Sequence, residues 1–298
     1  MPSLCDCEVT YDQPIDYGRP LLNTTAVHAK HLLICTNQDI NYPSTLACSL
    51  SWPSKVDLQP DSLAGELANI KRPSSVNDYQ SPFDPMYPIM ITNVDLVNEV
   101  VNVVHNRKQG QERNKNKENE KFKSETTRSP ELFYSAYLYP DNIYFPRLST
   151  NPYRVQAFVK SYLVPFSARD QAARKSFPSI HLGEDADIRS HDSMSPNRRN
   201  LILICGHATR DSRCGKAAPI LLKAFEEVLA SKGLTGVIEV AICSHIGGHA
   251  YAGNIICFDN QGSSVWYGRV EPKHVEGIVQ QTCLEKKIIK ELYRGGIN

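Results

Sequence analysis

The segment LILICGHATRDSRCG, residues 201–215, decides the fold of the second half of the chain. Its first residues are an unbroken apolar run that ends in Cys205, which is typical of a buried strand. An amphipathic run follows at residues 219–229, where Leu221, Phe225 and Leu229 share one helical face. A second apolar run follows at residues 237–243. The sequence therefore predicts strand, helix and strand packed as one α/β unit.

The same order of elements occurs in both halves of the chain. The run HLLIC at residues 31–35 matches LILIC, and each half continues to an Asp-Asn dipeptide, at residues 141–142 and 259–260. Asp-Asn between apolar runs is typical of a hairpin, and a proline follows at the start of the next helix in each half. We predict an α/β fold of two thioredoxin-like α/β sandwich domains, with a last helix over residues 285–293.

Length and local composition predict the domain boundaries. A chain of 298 residues is long enough for two domains. Residues 106–129 contain eight basic and four acidic residues with one aromatic, which predicts a disordered basic loop. We expect an N-terminal domain over residues 1–165, a linker over residues 166–199 and a C-terminal domain over residues 200–298.

The overall composition excludes several classes of protein. Lys and Arg number 33 against 32 Asp and Glu, so no net positive field would attract nucleic acid. No apolar run approaches the length of about 18 residues that spans a membrane. Nine cysteines are too few and odd in number for a disulfide scaffold. The first 22 residues have four acidic residues and a single arginine, unlike an Arg-rich mitochondrial presequence. We expect no nucleic-acid partner, no membrane span and no cleavable address.

Two Cys and two His residues follow the two predicted strands of the second half. Cys205 and Cys214 flank one loop, and His245 and His249 lie in SHIGGHAYAGN, residues 244–254. Loops at the same ends of adjacent strands face each other, so the four side chains should converge. Thiolates and imidazoles together favour zinc, copper or iron–sulfur chemistry over magnesium or calcium.

The spacing of the cysteines favours a binuclear cluster over a single zinc ion. Structural zinc sites place two to four residues between their cysteines, whereas eight separate Cys205 from Cys214. One Cys pair and one His pair are the ligands of Rieske-type [2Fe–2S] centres, although no histidine follows Cys214 at the Rieske spacing. His207 is a competing ligand that we rank lower.

The strings CGHATRDSRCG, HIGGHAYAGN, VWYGRV and YRGGIN closely resemble the fungal sucrase/ferredoxin-like family. SWPSKVD at residues 51–57 resembles the N-terminal domain of that family. The resemblance implies that the C-terminal domain is a thioredoxin-like ferredoxin whose [2Fe–2S] cluster is held by Cys205, Cys214, His245 and His249. The ending RGGIN resembles the mitochondrial branch, which implies a mitochondrial location.

The first half lacks the same ligand pattern. Cys35 ends a strand as Cys205 does, but Ser44 stands where the second cysteine would be, and no His-x3-His follows. We therefore expect a degenerate N-terminal domain without a cluster, which packs on the second or recruits a partner. Cys243 and Cys257 lie on apolar strands, where we expect small buried side chains rather than ligands.

We predict a redox protein that passes single electrons to a redox partner protein of unknown identity. Two neutral imidazoles in place of two thiolates make the oxidised cluster neutral, which raises its potential. The outer imidazole nitrogens can bind protons, so electron uptake should be coupled to proton uptake. Two alternatives stay open: a thiol oxidoreductase that acts on mitochondrial protein disulfides, and a non-redox binding module with structural zinc. The sequence therefore does not decide whether the protein is an enzyme.

Overall fold

The computed structural model describes residues 11, 13–37, 52–71, 83–98, 131–165, 195–196 and 200–297. The predicted basic loop, nearly all of the predicted linker, and Cys5, Cys7 and Cys48 lie outside these residues. Within them, no helix is both long and apolar enough to cross a bilayer.

Ten strands and four α-helices make up the described structure. In chain order they are β1 (Lys30–Asn37), α1 (Leu63–Lys71), β2 (Ile89–Val97), β3 (Phe133–Tyr139), β4 (Ile143–Ser149), α2 (Pro152–Phe158), β5 (Ser195–Pro196), β6 (Asn200–Cys205), α3 (Ser212–Ser231), β7 (Ile238–Cys243), β8 (Ile255–Phe258), β9 (Ser264–Tyr267), α4 (Pro272–Gly277) and β10 (Tyr293–Ile297). Short 3-10 turns lie at Val56–Leu58 and His249–Tyr251, and π-helical turns at Val159–Leu163 and Ile278–Leu284 continue α2 and α4.

The strands confirm the α/β fold and show the same topology in both halves. The first half has the order β2-β1-β3-β4 and the second the order β7-β6-β8-β9. In each, the two leading strands are parallel and the hairpin strands are antiparallel to their neighbours. Both Asp-Asn dipeptides lie at the predicted hairpin turns, between β3 and β4 and between β8 and β9. The division into two domains with the predicted boundaries remains a prediction.

The two halves join into one sheet through β2 and β7. These strands pair antiparallel at Val94 and Cys243. Beside that pair, the Ser244 amide donates to Asn93 O (2.8 Å), and the Asn93 amide donates to Ser244 Oγ (2.9 Å). The joint therefore lies directly before the loop that carries His245 and His249.

Three apolar clusters explain how the halves pack. Alternation along β1 directs Leu32 and Ile34 toward α1 and α2, and Leu33 toward a cluster shared by both halves. In the shared cluster Tyr139 of β3 stacks on Phe258 of β8, with ring centroids 3.9 Å apart. The third cluster lies under α3 and α4. The sheet faces that lack helices thus pack against each other, and the helices cover the two outer faces.

The predicted last helix over residues 285–293 is wrong. The π-helical turn ends at Leu284, and β10 then pairs antiparallel with β9 from Tyr293 onward. Ile289 and Leu292 are apolar because they pack into the core under α3 and α4, not because they share a helical face.

The start of α3 also differs from the prediction. The helix begins at Ser212, where Asp211 caps it by accepting from the Arg213 amide (3.0 Å), and Pro219 lies inside it. Cys214 was expected to precede this helix and instead lies in its first turn. The Asp211 cap was the sequence signal for the earlier start.

Candidate metal centre

Cys205 and Cys214 lie side by side at the carboxyl end of the central strand of the second half. Cys205 is the last residue of β6, Cys214 is in the first turn of α3, and each is 1% exposed. Their thiols are in hydrogen-bonding contact. The glycines that follow them permit close packing: a Cβ on Gly206 would lie 2.9 Å from Ala218 Cβ, and one on Gly215 would lie 2.8 Å from Ala208 Cα. The loop between the cysteines is thus held tightly against β7 and α3.

His245 and His249 approach the cysteines from the loop after β7. Gly247 and Gly248 between them have φ of 82° and 74°, a left-handed conformation that glycine adopts without strain. This turn brings the two rings to a centroid separation of 5.7 Å. The His245 side chain contacts the Cys205 thiol. The structure therefore brings the four predicted ligands into one contiguous group.

Burial differs sharply across this group. The two cysteines are fully buried, His245 is half-buried and His249 is exposed. His245 Nδ1 is a buried nitrogen with no hydrogen-bond partner. Buried polar atoms normally have a partner, so an orphaned imidazole nitrogen beside two thiols fits a metal ligand.

The two thiols are electrostatically unequal. A hydrogen bond from Cys214 and the neighbouring His245 imidazole hold the pKa of Cys205 well below its usual range. The hydrogen bond to Cys205, together with burial, raises the pKa of Cys214. Burial also raises the pKa of the neighbouring Cys243, which favours the neutral thiol there. A second thiolate at this point needs a cation to compensate its charge, which is what a bound metal supplies.

The group does not have the geometry of a single-ion site. In the part of the chain that the structure describes, no three His, Cys, Asp or Glu side chains could hold one metal ion. A binuclear cluster needs only two protein ligands on each iron. Two buried thiols and two more exposed imidazoles are the ligand types of a Rieske-type [2Fe–2S] centre.

His207 has a positioning role in this structure. Its Nε2 is 2.9 Å from Pro53 O, and its Nδ1 accepts from the His245 amide at 3.0 Å. Both ring nitrogens are therefore engaged, and the tautomer with a proton on Nε2 satisfies both contacts. Thr209 Oγ1 also donates to Trp52 O (2.8 Å), so the first half braces the cysteine loop from outside.

Arg294 is a residue of this region that the sequence reasoning missed. Its side chain is fully buried and lies behind the histidine loop. Nη1 donates to Asn254 Oδ1 (2.7 Å) and Gly247 O (3.3 Å), while Nε and Nη2 donate to Thr24 Oγ1 (3.1 Å) and Thr24 O (2.5 Å). No carboxylate among the described residues forms a salt bridge with it. An arginine in the otherwise apolar and glycine-rich ending YRGGIN was the available signal.

The Arg294 guanidinium is a buried positive charge that interacts electrostatically with both thiols. Burial lowers the pKa of Arg294, and the charges of Cys205 and Cys214 oppose that decrease. Asn254 accepts from Arg294 and its Nδ2 donates to Gly248 O (2.8 Å), so Asn254 links Arg294 to the turn between the histidines. Arg294 therefore both supports the loop and adds positive potential to the centre.

Comparison with known proteins identifies relatives of this chain. The family model described as sucrase/ferredoxin-like matches residues 21–295. Proteins named "Altered inheritance of mitochondria protein 32" are similar to this chain: 35% identity in Debaryomyces hansenii (98% of this chain, 93% of the relative), 31% in Meyerozyma guilliermondii (96% and 87%) and 33% in Clavispora lusitaniae (95% and 86%).

A solved thioredoxin-like [2Fe–2S] ferredoxin from Aquifex aeolicus is also similar, with 19% identity and a TM-score of 0.27, over 33% of this chain and 93% of the ferredoxin. The family match spans both halves of the sheet and includes all four converging side chains as well as Arg294. This chain belongs to the sucrase/ferredoxin-like family.

Proposed function

We propose that this protein is an electron-transfer protein that holds a [2Fe–2S] cluster through Cys205, Cys214, His245 and His249. The observation that carries the proposal is the convergence of two buried thiols and two more exposed imidazoles. When bound, such a cluster accepts and releases one electron at a time.

The four proposed ligands have different roles at this site. Cys205 and Cys214 hold the buried end, where exclusion of water strengthens the electrostatic effect of every neighbouring charge. His249 is exposed, so its outer imidazole nitrogen can exchange a proton with solvent. Because a neutral imidazole and its deprotonated form differ by one charge, uptake of an electron at this site favours uptake of a proton there. The reduction potential should therefore fall as pH rises.

The exposed face at His249 is also where a redox partner protein would approach. We propose that the partner docks there because the cysteine end is covered by α3, β7 and the first half of the chain. The first half serves as a brace for the cysteine loop through the Trp52 and Pro53 carbonyls. The names of the relatives support a mitochondrial site of action.

Anaerobic purification followed by iron, sulfide and zinc analysis tests the proposal. We expect two irons and two sulfides per chain, visible absorbance, and an electron paramagnetic resonance signal of the reduced protein typical of histidine ligation. Cys205→Ser and Cys214→Ser should each lose this signal, whereas Cys257→Ser, on the opposite face of the sheet, should keep it. One zinc per chain without visible absorbance would overturn the proposal in favour of structural zinc.

Exchange of the ligand type gives an independent check. His245→Cys and His249→Cys should retain a cluster with a lower potential and a weaker pH dependence, because a thiolate replaces a neutral ligand. Redox titrations that match the wild type in both variants would contradict the ligand assignment.

A further inference from the structure

A second pair of cysteines lies in contact on the other face of the sheet. Cys257 is on β8 and is 6% exposed, and Cys283 is half-buried in the π-helical turn after α4. The two thiols are hydrogen-bonded to each other. Both belong to the core under α3 and α4, whereas Cys205 and Cys214 belong to the core between the two halves. The pair is therefore separate from the metal centre.

Contacts on both sides of the pair fix its position. Tyr267 Oη is 2.6 Å from the hydroxyl of Thr282, the residue before Cys283, and it accepts from the Ile289 amide (3.1 Å). Tyr267 lies on β9, which pairs with the strand that carries Cys257. Lys286 Nζ lies 3.6 Å from Asp259 Oδ2 at the end of β8. These contacts hold the turn against β8 on either side of the two sulfurs.

The surroundings of the two thiols differ. The hydrogen bond with Cys257 and the positive charge of Lys286 lower the pKa of Cys283, although burial opposes this. The same hydrogen bond and burial raise the pKa of Cys257. Cys283 is also the more exposed of the two. In thiol–disulfide exchange the thiolate attacks, so Cys283 is suited to be the attacking residue and Cys257 the resolving one.

We propose that Cys257 and Cys283 form a dithiol that reacts with a low-molecular-weight disulfide, of the glutathione disulfide class, and closes to an internal disulfide. The Cys283 thiolate attacks one sulfur of the disulfide, which forms a mixed disulfide and releases one glutathione thiolate. Cys257 loses its proton to solvent and attacks the Cys283 sulfur, which releases the second glutathione thiolate. The protein loses two electrons and two protons, and the glutathione disulfide gains them as two thiols.

The bond would join β8 covalently to the segment that leads into β10. β10 itself carries Arg294, which supports the histidine loop on the other face of the sheet. Oxidation of the pair would thus restrain the C-terminal segment without involving any of the four converging ligands. The inference does not depend on the identity of the bound metal.

Mass spectrometry of the full-length protein tests the proposal. The purified protein is incubated with glutathione disulfide, blocked with an alkylating reagent and digested. In the wild type we expect a peptide pair linked through Cys257 and Cys283, reversed by reduced glutathione. Cys257→Ser should instead accumulate a mixed disulfide on Cys283, because the resolving thiol is absent. Cys283→Ser should leave Cys257 unmodified, and Cys35→Ser, in the core between the halves, should behave as the wild type.

Two results would overturn the proposal. One is wild-type protein in which Cys257 and Cys283 are both alkylated after exposure to glutathione disulfide. The other is a mixed disulfide that accumulates on Cys283 equally in the wild type and in Cys257→Ser. The wild-type peptide map is decisive even if a variant fails to fold.

Discussion

Replacement of Arg294 by Gln tests how much the proposed metal centre depends on a buried cation that forms no salt bridge with a carboxylate of the described residues. The side chain makes four hydrogen-bond contacts, to both oxygens of Thr24, to Gly247 O and to Asn254 Oδ1. Hydrogen bonds from a charged donor contribute about 1.5–3 kcal/mol each, and a buried acceptor left without its donor costs about 1–3 kcal/mol. Since some acceptors will regain a partner in Gln, we expect a loss of about 3–5 kcal/mol in the free energy of unfolding.

Arg294→Lys is the matched control because it keeps the charge and loses the planar fork of donors. A single ammonium can replace only some of the four contacts, so we expect a smaller loss, about 1.5–3 kcal/mol. The two tryptophans, Trp52 and Trp266, are 3% and 0% exposed, so their fluorescence reports unfolding in urea. A loss below about 1 kcal/mol in Arg294→Gln would contradict the role as a buried loop support.

The same two variants separate charge from hydrogen bonding at the proposed cluster. A reduced cluster carries one more negative charge than an oxidised one, and a buried cation nearby stabilises the reduced form. Arg294→Gln should therefore lower the midpoint potential, while Arg294→Lys should leave it closer to that of the wild type. Equal potentials in all three proteins, measured by redox titration, would show that Arg294 acts through structure alone.

Three further substitutions give clear expectations. Burial and the neighbouring His28 charge lower the pKa of His31 well below 6.5, so below pH about 6.5 the unfolded chain binds a proton that the folded chain does not. The free energy of unfolding should then fall with decreasing pH by up to about 1.4 kcal/mol per pH unit. Urea titrations at pH 7.5 and 5.5 should show a smaller pH dependence in His31→Gln. A pH dependence equal to that of the wild type would contradict the lowered pKa of His31. Gly248→Ala should lower the free energy of unfolding by about 2–4 kcal/mol, because φ is 74° and the new Cβ would overlap the Arg294 guanidinium. The control Gly233→Ala, with φ of 66° and open space around the new Cβ, should lower it by only about 1–2 kcal/mol. Equal losses in the two variants would refute the steric argument. Trp52→Ala should lower the free energy of unfolding in urea by about 3–5 kcal/mol, since the ring is 3% exposed in the core under α3 and α4. A loss under about 1 kcal/mol would show that the first half does not support that core.

The sequence was sufficient for the repeated topology because its signals are local. Apolar runs such as those at β1 and β6, and the Asp-Asn turns, depend on neighbours in the chain. The grouping of Cys205 with His245 was also predictable, since Cys205 ends one strand and His245 follows the parallel strand beside it. The C-terminal strand was missed because β10 is defined by pairing with β9 and carries Gly295 and Gly296, which weaken a strand signal.

Arg294 and the cysteine pair were missed for a related reason. Sequence gives the identity of Arg294 but not its burial, and an arginine is exposed in most proteins. Cys257 was correctly expected to be buried, yet nothing local connects it with Cys283, 26 positions further on. Such contacts arise only when the turn after α4 packs on β8. Local sequence patterns therefore contain no signal for such long-range contacts.

The two halves show how one topology supports different loop functions. In the second half, β6 and β7 end in the two loops that carry the thiols and imidazoles. In the first half, β1 and β2 end at Asn37 and Val97, and there the Asn98 amide donates to Asn37 O (2.8 Å). The Asn98 side chain donates to Phe133 O (3.0 Å) and accepts from the Ser135 amide (3.1 Å), so it ties these strand ends to β3.

The strand ends that carry the proposed ligands in the second half thus correspond to strand ends that Asn98 ties together in the first half. Cys35 occupies a position near the end of β1 and is buried in the core between the halves, as Cys205 is. Its surroundings in that core come from both halves of the sheet, so it contributes to packing, whereas Cys205 is one of the four proposed ligands. Because the topology is common to both halves, the proposed function of the second half depends on the residues at its strand ends. Among the described residues, the second half has a loop with a second thiol and a His-x3-His turn there, and the first half has the hydrogen bonds of Asn98.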